Sequence, residues 1–278
     1  MHITRSTPVY YINLDNSKER RKNIIMSLRR LGFENITRIP AIDTRTDQKV
    51  RKYSKMIDPS HYEILKHDNK VGHRQFFGAI TNGSIGCYLS HLNAYRKILE
   101  NMDDSALIFE DDIIIDLPKN IFWDRVNQLH IPETTDIYLL DGTYYDSVRR
   151  IKEGSTTLKI ERFTGLYSYF LTNAAAKILV KYLPVRQAIK YQIDFEISIL
   201  MKANLLKVYG YRGDTITRHD YAVFKSTMQN LDCTHCYMKD LNLEARNVVR
   251  EGFSEGDQGN YDIILIIVII CFLLYKMV

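Results

Sequence analysis

The feature that most constrains the fold is a short apolar run that ends in three consecutive carboxylates. Residues 105–109 read SALIF and lead directly into Glu110, Asp111 and Asp112. An uninterrupted apolar run of this length is typical of a strand that is covered on both faces of a sheet. Three adjacent carboxylates carry too much charge to be buried without partners. Hard cations such as Mg²⁺ and Mn²⁺ take oxygen ligands, so the end of this strand is a candidate metal site.

Helix and strand patterns alternate on both sides of this run. Upstream, the chain predicts a strand over 8–14, a helix that ends at Gly32, and a second strand over 35–42. Residues 83–99 place their apolar side chains at helical spacing. The strands predicted downstream are 135–140, 158–163, 166–171 and 205–211, and the helices are 121–129, 172–183 and 192–203. This alternation predicts an α/β fold with a mostly parallel sheet flanked by helices.

Composition and short motifs narrow the classes of function. The net charge of +5 over 278 residues is modest, and the charges are mixed along the chain. This charge does not indicate a protein that binds nucleic acid, but it is compatible with an anionic substrate such as a nucleotide diphosphate. The chain has neither a G-x-G-x-x-G nor a Walker loop, which argues against ordinary dinucleotide and P-loop sites. Cys233 and Cys236 form a C-x-x-C without a second pair, so free thiols or a local disulfide are expected rather than a zinc site.

Several segments occur together in the order known from one enzyme family. They are INLD at 12–15 with Arg20 and Arg21 behind it, AID at 41–43, GCYLSH at 86–91, ALIFEDD at 106–112, and the stretch from Gly165 to Ala176, followed by Asp194. In this order they resemble glycosyltransferase family 25, which contains lipooligosaccharide and procollagen galactosyltransferases. The chain departs from the family pattern at Thr44, where the family has glycine after the AID segment. An ordered set of motifs is stronger evidence than the acidic triplet alone.

The resemblance implies an enzyme with a GT-A-like, Rossmann-type fold. Such an enzyme uses a UDP-sugar as its donor substrate and a divalent metal, Mn²⁺ or Mg²⁺, as its cofactor. Glu110 and Asp112 are the expected ligands of the metal or of its bound water, and Asp111 can instead orient the nucleotide ribose. His219 is the candidate that completes the metal shell, with a purely structural histidine as the alternative. An acidic strand end that is merely solvated is the alternative for the whole triplet.

Other residues are candidates for contact with the nucleotide or for catalysis. The expected donor-binding set also includes Asn13, Asp15, Arg20, Arg21, Asp43, Ser90 and His91. The two arginines can instead be solvated on their helix, and Ser90 and His91 can serve helix packing. An inverting transfer needs a carboxylate that takes the proton of the acceptor hydroxyl. Asp194 is the first candidate for this base, followed by Glu196 and Asp141, although acids in a first helical turn are also common caps and dipole partners.

Three further parts of the chain complete the expected organisation. Residues 44–82 predict a long excursion with short helices, either a lid or acceptor-side loop or a solvated insertion. Residues 251–262 are rich in glycine and acids and predict a linker. Residues 263–278 are almost entirely apolar, but the run is shorter than the ~20 residues that span a bilayer as a helix. Either a tail anchor or a buried terminal strand fits this pattern.

The expected protein is therefore a hexosyltransferase, with a catalytic domain over 1–250 and a single-pass C-terminal membrane anchor. It would move galactose or glucose from a UDP-sugar to a hydroxyl of a glycan, a lipid-linked saccharide or a hydroxylysine-type side chain. The alternatives are a non-catalytic sugar-binding or structural membrane protein with a transferase-like fold, and a metal-dependent nuclease. A nuclease of the common type needs a lysine two residues beyond its second acid, where this chain has Ile114.

Overall fold

The computed structural model describes residues 2–145, 149–184 and 188–219, together with 231, 233, 236, 237 and 245. Strand β1 (Val9–Asn13) is buried along its whole length. Helix α1 (Lys18–Leu31) follows and ends at Gly32, whose φ of 87° lets its N–H reach back to the carbonyl of Arg29. Strand β2 (Ile36–Pro40) then pairs with β1 in parallel, as the first βαβ unit of the sequence predicts.

The remaining elements follow the predicted alternation with two differences. The helices are α2 (Asp47–Val50), a 3-10 helix (Arg51–Met56), α3 (Pro59–Val71), α4 (Asn82–Glu100), α5 (Lys119–Asn127), α6 (Asn173–Tyr182) and α7 (Ile193–Lys202). The strands are β3 (Ser105–Glu110), β4 (Ile113–Ile114), β5 (Ile137–Tyr145), β6 (Arg149–Arg150), β7 (Thr157–Lys159), β8 (Arg162–Thr172), β9 (Val208–Tyr211) and β10 (Arg218–His219). The strand predicted over 205–211 begins only at Val208. The strand predicted over 158–163 is divided between β7 and the start of β8, and β8 continues through Gly165 to include the strand predicted over 166–171. Gly165 does not end this strand because it takes a φ of 89° that lets the chain continue.

The main sheet is mixed. Its eight strands are ordered β2-β1-β3-β8-β5-β9-β7-β6. Strand β1 pairs in parallel with β2 and β3, and β5 pairs in parallel with β9. Strand β8 is antiparallel to both of its neighbours, β3 and β5. The α/β class is thus confirmed, but the sheet expected to be mostly parallel is mixed, with its parallel pairs within β2-β1-β3 and between β5 and β9.

Alternating residues of the central strands enter two separate cores. Tyr10 and Ile108 belong to the core that lies beneath α4, α6 and α7. Val9 and Phe109 belong to the core on the opposite face, with α1 and α5. This period of two is what a strand buried on both faces requires.

A small second sheet extends the end of β3. Strand β4 pairs antiparallel with β10, so that His219 lies opposite Ile113, immediately after the acidic triplet. None of the helices in the described part of the chain is long and apolar enough to cross a membrane. The predicted linker over 251–262 and the apolar segment over 263–278 lie outside the described residues.

Candidate functional site

The ends of β1 and β3 open into a surface cleft of about 530 Å³, called the first cleft here. Its wall is completed by the loop 41–45 and by one side of α4. Because β1 and β3 are parallel neighbours, Asn13 and the acidic triplet emerge from the sheet side by side. Ligands in open α/β sheets bind at such strand ends.

Asp111 and Asp112 both form salt bridges with the guanidinium group of Arg20 in this cleft. The Nη1 atom of Arg20 lies 3.3 Å from Asp111 Oδ1 and 3.2 Å from Asp112 Oδ2. Asn13 donates a hydrogen bond of 2.5 Å to the other oxygen of Asp111. Burial raises the pKa of Asp111, while the hydrogen bond from Asn13 acts in the opposite direction. Both acids and Arg20 are largely buried, so their charges act in a medium that screens poorly.

Asp112 also meets the histidine of β10. His219 Nε2 lies 3.3 Å from Asp112 Oδ2. The other carboxylate oxygen of Asp112 is buried without a hydrogen-bond partner, as is Oδ2 of Asp141. Asp141 accepts hydrogen bonds from the backbone N–H groups of His219 and Gly142, although burial raises its pKa. A carboxylate, an imidazole and an unsatisfied buried oxygen form a donor set that fits a divalent cation.

Glu110 also lines the first cleft, but its carboxyl group turns toward α4. Its Oε1 lies 3.3 Å from His91 Nε2, and His91 Nδ1 lies 2.8 Å from the hydroxyl of Tyr169. Tyr169 in turn donates to the hydroxyl of Tyr95. Because that hydroxyl has a single proton, Tyr169 must accept from His91 Nδ1–H, which leaves Nε2 as the acceptor of a proton from Glu110.

The pKa shifts agree with this arrangement of protons. Burial lowers the pKa of His91 to about 3, so its ring is neutral. Burial, followed by the charges of Asp112 and Asp111, raises the pKa of Glu110 well above its usual value. The acidic triplet is therefore divided, with a neutral carboxyl on one side of the strand end and two carboxylates beside Arg20 on the other.

A second cleft of about 970 Å³ adjoins the first and shares Cys87 and Glu110 with it. Aromatic side chains line it together with Arg74 and Asp194. Asp194 accepts hydrogen bonds from the backbone N–H of Gly165 at 3.2 Å and of Phe195 at 2.8 Å. Burial raises the pKa of Asp194 above its usual value. One cleft thus offers charged groups at a strand end, and the other offers flat apolar faces with a fixed carboxyl group.

A match to a known protein family covers the residues that form the two clefts. The family model described as Glycosyltransferase family 25 (LPS biosynthesis protein) matches residues 6–197, which include both clefts up to Asp194. This chain belongs to glycosyltransferase family 25.

Two of the following three relatives carry the same family name, and the third is named as a galactosyltransferase. A "Glycosyltransferase 25 family member" of Aedes aegypti is 30% identical over 107 residues, which are 38% of this chain and 16% of the relative. "Procollagen galactosyltransferase 2" of Homo sapiens is 25% identical over 107 residues, 38% of this chain and 15% of the relative. A family member of Drosophila pseudoobscura pseudoobscura is 26% identical over 202 residues, 67% of this chain and 30% of the relative. The chain therefore matches less than a third of the length of each of these relatives.

The family 25 chain brings most of its predicted donor-binding residues to the first cleft. Asp43 lines it, held by Arg45 and Lys49, and its hydrogen bond with Arg45 lowers its pKa. Ser90 donates to the carbonyl of Gly86 and accepts from the N–H of Ile42 at 2.8 Å. Ser90 therefore fixes the loop that carries Asp43.

Two predicted donor-binding residues lie behind the first cleft. Arg21 Nε donates to Asn13 Oδ1 at 2.8 Å, which orients the asparagine amide toward Asp111. Asp15 is exposed and pairs with Arg38 at 2.5 Å, and it does not line the cleft. These residues position Asn13 and the end of β1.

The three predicted candidates for the base are separated in space. Asp194 lines the second cleft, whereas Asp141 lies with His219 and lines a separate cavity beyond β5. Glu196 is fully buried and lines neither cleft. It accepts hydrogen bonds from the hydroxyl of Tyr88 at 2.5 Å and from the backbone N–H of Lys190 at 3.1 Å. The geometry thus gives Glu196 a structural role, since no substrate can reach it from either cleft.

Sequence reasoning missed Cys87 and Arg74 as cleft residues. The available sequence signal for Cys87 is its neighbour Gly86, a glycine inside a predicted helix, and in the structure a Cβ on Gly86 would lie 2.2 Å from the carbonyl oxygen of Ile42. That contact shows that α4 packs directly on the loop of the first cleft at this point, which brings the next residue into the cleft wall. Arg74 lies within the excursion predicted over 44–82, where no local pattern indicates which side chains face the second cleft.

Proposed function

We propose that this chain transfers a hexose from a UDP-sugar to an acceptor hydroxyl, with the help of a divalent metal ion. The observation that carries the proposal is the meeting of two chemically different clefts at Cys87 and Glu110 in a member of glycosyltransferase family 25. A sugar transferase needs a donor site and an acceptor site that share one wall. We assign the UDP-sugar to the first cleft, the acceptor to the second, and the architecture to the GT-A type.

The first cleft suits a nucleotide diphosphate. Arg20 and Arg45 offer positive charge, and Asp111 with Asn13 offers hydrogen bonds to a ribose. Asp112 and His219 are the residues that would hold Mn²⁺ or Mg²⁺. When bound, the metal supplies positive charge that offsets the charge developing on the leaving diphosphate.

Asp194 is the residue that we propose as the general base of an inverting reaction. Two backbone N–H groups hold its carboxyl group at the wall of the second cleft. A raised pKa makes it a stronger base than an ordinary aspartate, provided that the pH lies above the raised value. Phe77, Tyr145 and Tyr167 line the same cleft with aromatic rings, which suit the apolar face of a sugar or a similar acceptor.

Galactose is the donor sugar that we favour, because one relative bears the name "Procollagen galactosyltransferase 2". The acceptor hydroxyl belongs to a glycan, a lipid-linked saccharide or a hydroxylysine-type side chain. We also propose that the apolar residues 263–278 anchor the protein in a membrane, which alkaline carbonate extraction of membranes containing the full chain would test. Release of the protein into the soluble fraction would contradict the anchor.

The central test is turnover of UDP-sugars by the full chain. Purified protein is incubated with UDP-galactose or UDP-glucose and Mn²⁺, with a panel of saccharide and hydroxylysine acceptors, and UDP release is measured. We expect acceptor-dependent release that Asp194→Asn lowers by about 10²–10⁴-fold with little change in UDP affinity. Asp112→Asn should instead weaken Mn²⁺-dependent UDP binding.

Asp214→Asn is the matched control, because Asp214 is exposed and lies away from both clefts. It should behave as the wild type in both assays. UDP-sugar binding without turnover for any acceptor would favour a non-catalytic sugar-binding protein. An absence of both binding and turnover in folded protein would overturn the proposed function.

A further inference from the structure

We propose that Cys87, His91 and Glu110 form a second metal site, suited to a borderline-soft divalent ion such as Zn²⁺, at the wall that the two clefts share. One ligand atom from each of these residues lies within 4.8 Å of the other two. The set is distinct from the pair Asp112 and His219, to which the donor metal is assigned. The proposal concerns binding of the ion and holds whether or not the chain is a transferase.

The positions of the three ligands follow from the helix and the strand that carry them. Cys87 and His91 are four residues apart on α4, so both project from one face of the helix. Glu110 is the last residue of β3 and projects toward the same core as Ile108, two residues before it. The face of α4 that packs on the sheet therefore meets the end of β3 at these three side chains.

The observed separation of two ligand atoms agrees with tetrahedral coordination. His91 Nε2 and Glu110 Oε1 are 3.3 Å apart. In a tetrahedral site with Zn–N and Zn–O bonds of about 2.0–2.1 Å, two such ligand atoms are separated by roughly 3.3 Å. The longer Zn–S bond of about 2.3 Å requires a slightly larger separation for the sulfur. Cys87 Sγ lies within 4.8 Å of both other ligand atoms, so binding of the ion would require the sulfur to approach them more closely.

The surroundings of the imidazole support a metal ligand. Metal-binding histidines usually donate their second ring N–H to a fixed partner, which orients the ring and sets the tautomer. His91 Nδ1 has that partner in the hydroxyl of Tyr169 at 2.8 Å, and its Nε2 faces Glu110. His91 is fully buried, so the Tyr169 contact holds the ring in one orientation.

The chemistry of the ligands selects the ion. A thiolate and an imidazole favour Zn²⁺ over the hard cations Mg²⁺ and Mn²⁺, which prefer carboxylates and water. Three protein ligands leave a fourth position, and all three residues line the first cleft. A bound ion would thus be open to exchange with solvent and to a ligand from either cleft.

Cobalt absorption spectroscopy tests the site. The full chain is prepared with Cys233, Cys236 and Cys271 replaced by serine, so that Cys87 is the remaining cysteine of the four. Titration with Co²⁺ should give a thiolate-to-cobalt charge-transfer band at one equivalent, and Zn²⁺ should displace it. Cys87→Ser should abolish the band, His91→Gln and Glu110→Gln should weaken Co²⁺ binding, and Tyr169→Phe should weaken it by about 10–100-fold.

Two controls show whether the band arises from an ion held by these three residues. Asp214→Asn should leave the band unchanged, because Asp214 is exposed and lies away from both clefts. Thermal melts of the metal-free variants check that a lost band does not reflect unfolding. The proposal is overturned if folded protein that contains Cys87 gives no charge-transfer band, if Cys87→Ser retains the band, or if both His91→Gln and Glu110→Gln bind Co²⁺ as tightly as their parent.

Discussion

Replacing Glu196 with alanine should destabilise the protein without removing a catalytic group. The Glu196 carboxylate has no exposed surface and accepts hydrogen bonds from the Tyr88 hydroxyl and from the backbone N–H groups of Lys190 and Tyr191. Each buried donor that loses its acceptor costs about 1–3 kcal/mol. Three buried donors lose this acceptor, so we expect Glu196→Ala to cost about 3 kcal/mol or more.

That loss is large against a total stability of about 5–15 kcal/mol. For a domain of this size it corresponds to a fall in Tm on the order of 10 °C. Urea unfolding followed by fluorescence would measure the free energy of unfolding, and a thermal scan would measure Tm. Glu100→Ala is the matched control, since Glu100 is exposed and forms a surface ion pair with Lys97 that is worth less than about 1 kcal/mol.

A double-mutant cycle sharpens the test. Tyr88→Phe removes one donor and should cost about 1 kcal/mol on its own. Because Tyr88 and Glu196 are partners, the double variant should cost less than the sum of the two single variants. An unchanged urea midpoint for Glu196→Ala, together with a loss of turnover per folded molecule, would refute the structural role and make Glu196 a catalytic candidate again.

Three further predictions concern the first cleft. Arg20→Ala should weaken UDP binding by roughly 10–100-fold, because a charge-assisted contact is lost. Isothermal titration calorimetry would measure this affinity. Replacement of the exposed Arg29 by alanine is the control and should leave UDP binding as in the wild type. The raised pKa of Glu110 means that the folded state holds this proton more tightly, so the stabilisation is present at low pH and is lost as the pH rises from about 4.5. Wild type should therefore lose stability relative to Glu110→Gln as the pH rises above about 4.5 in urea titrations, and parallel pH profiles would contradict the buried neutral carboxyl. Gly86→Ala should lower the free energy of unfolding by about 1–3 kcal/mol and weaken UDP binding, since its Cβ would lie 2.2 Å from the Ile42 carbonyl oxygen. Unchanged UDP affinity would show that the loop 41–45 can move without weakening UDP binding.

The sequence predicted the half of the site that depends on local pattern. The apolar run over 105–109 and its acidic end specify a buried strand whose charges must leave the core. The division of the triplet follows from where β3 ends. Glu110 is the last residue of the strand and turns toward His91, whereas Asp111 and Asp112 lie in the turn beyond it and contact Arg20. The sequence shows neither the residue at which the strand ends nor the side that carries an arginine.

The other half of the site depends on long-range pairing. The Asp112–His219 contact depends on the pairing of β4 with β10, two-residue strands too short to carry a pattern of their own. Asp194 and Glu196 differ by two positions on α7, and only the packed structure shows that one reaches a cleft while the other reaches Tyr88. The antiparallel direction of β8 was likewise invisible, because a buried strand reads the same in both directions.

The central position of β8 has a consequence for synthesis of the protein on the ribosome. Strand β3 emerges well before residues 162–172, so its edge has no partner until β8 has been translated and has folded back. The Asp112 carboxylate just beyond β3 remains without its partner His219 for longer still, because β10 follows β8 by more than forty residues. A nascent chain therefore has an open strand edge and an incomplete first cleft. Substrate cannot guide the early steps of folding, and nascent chains that stall before β8 are the ones expected to need a chaperone.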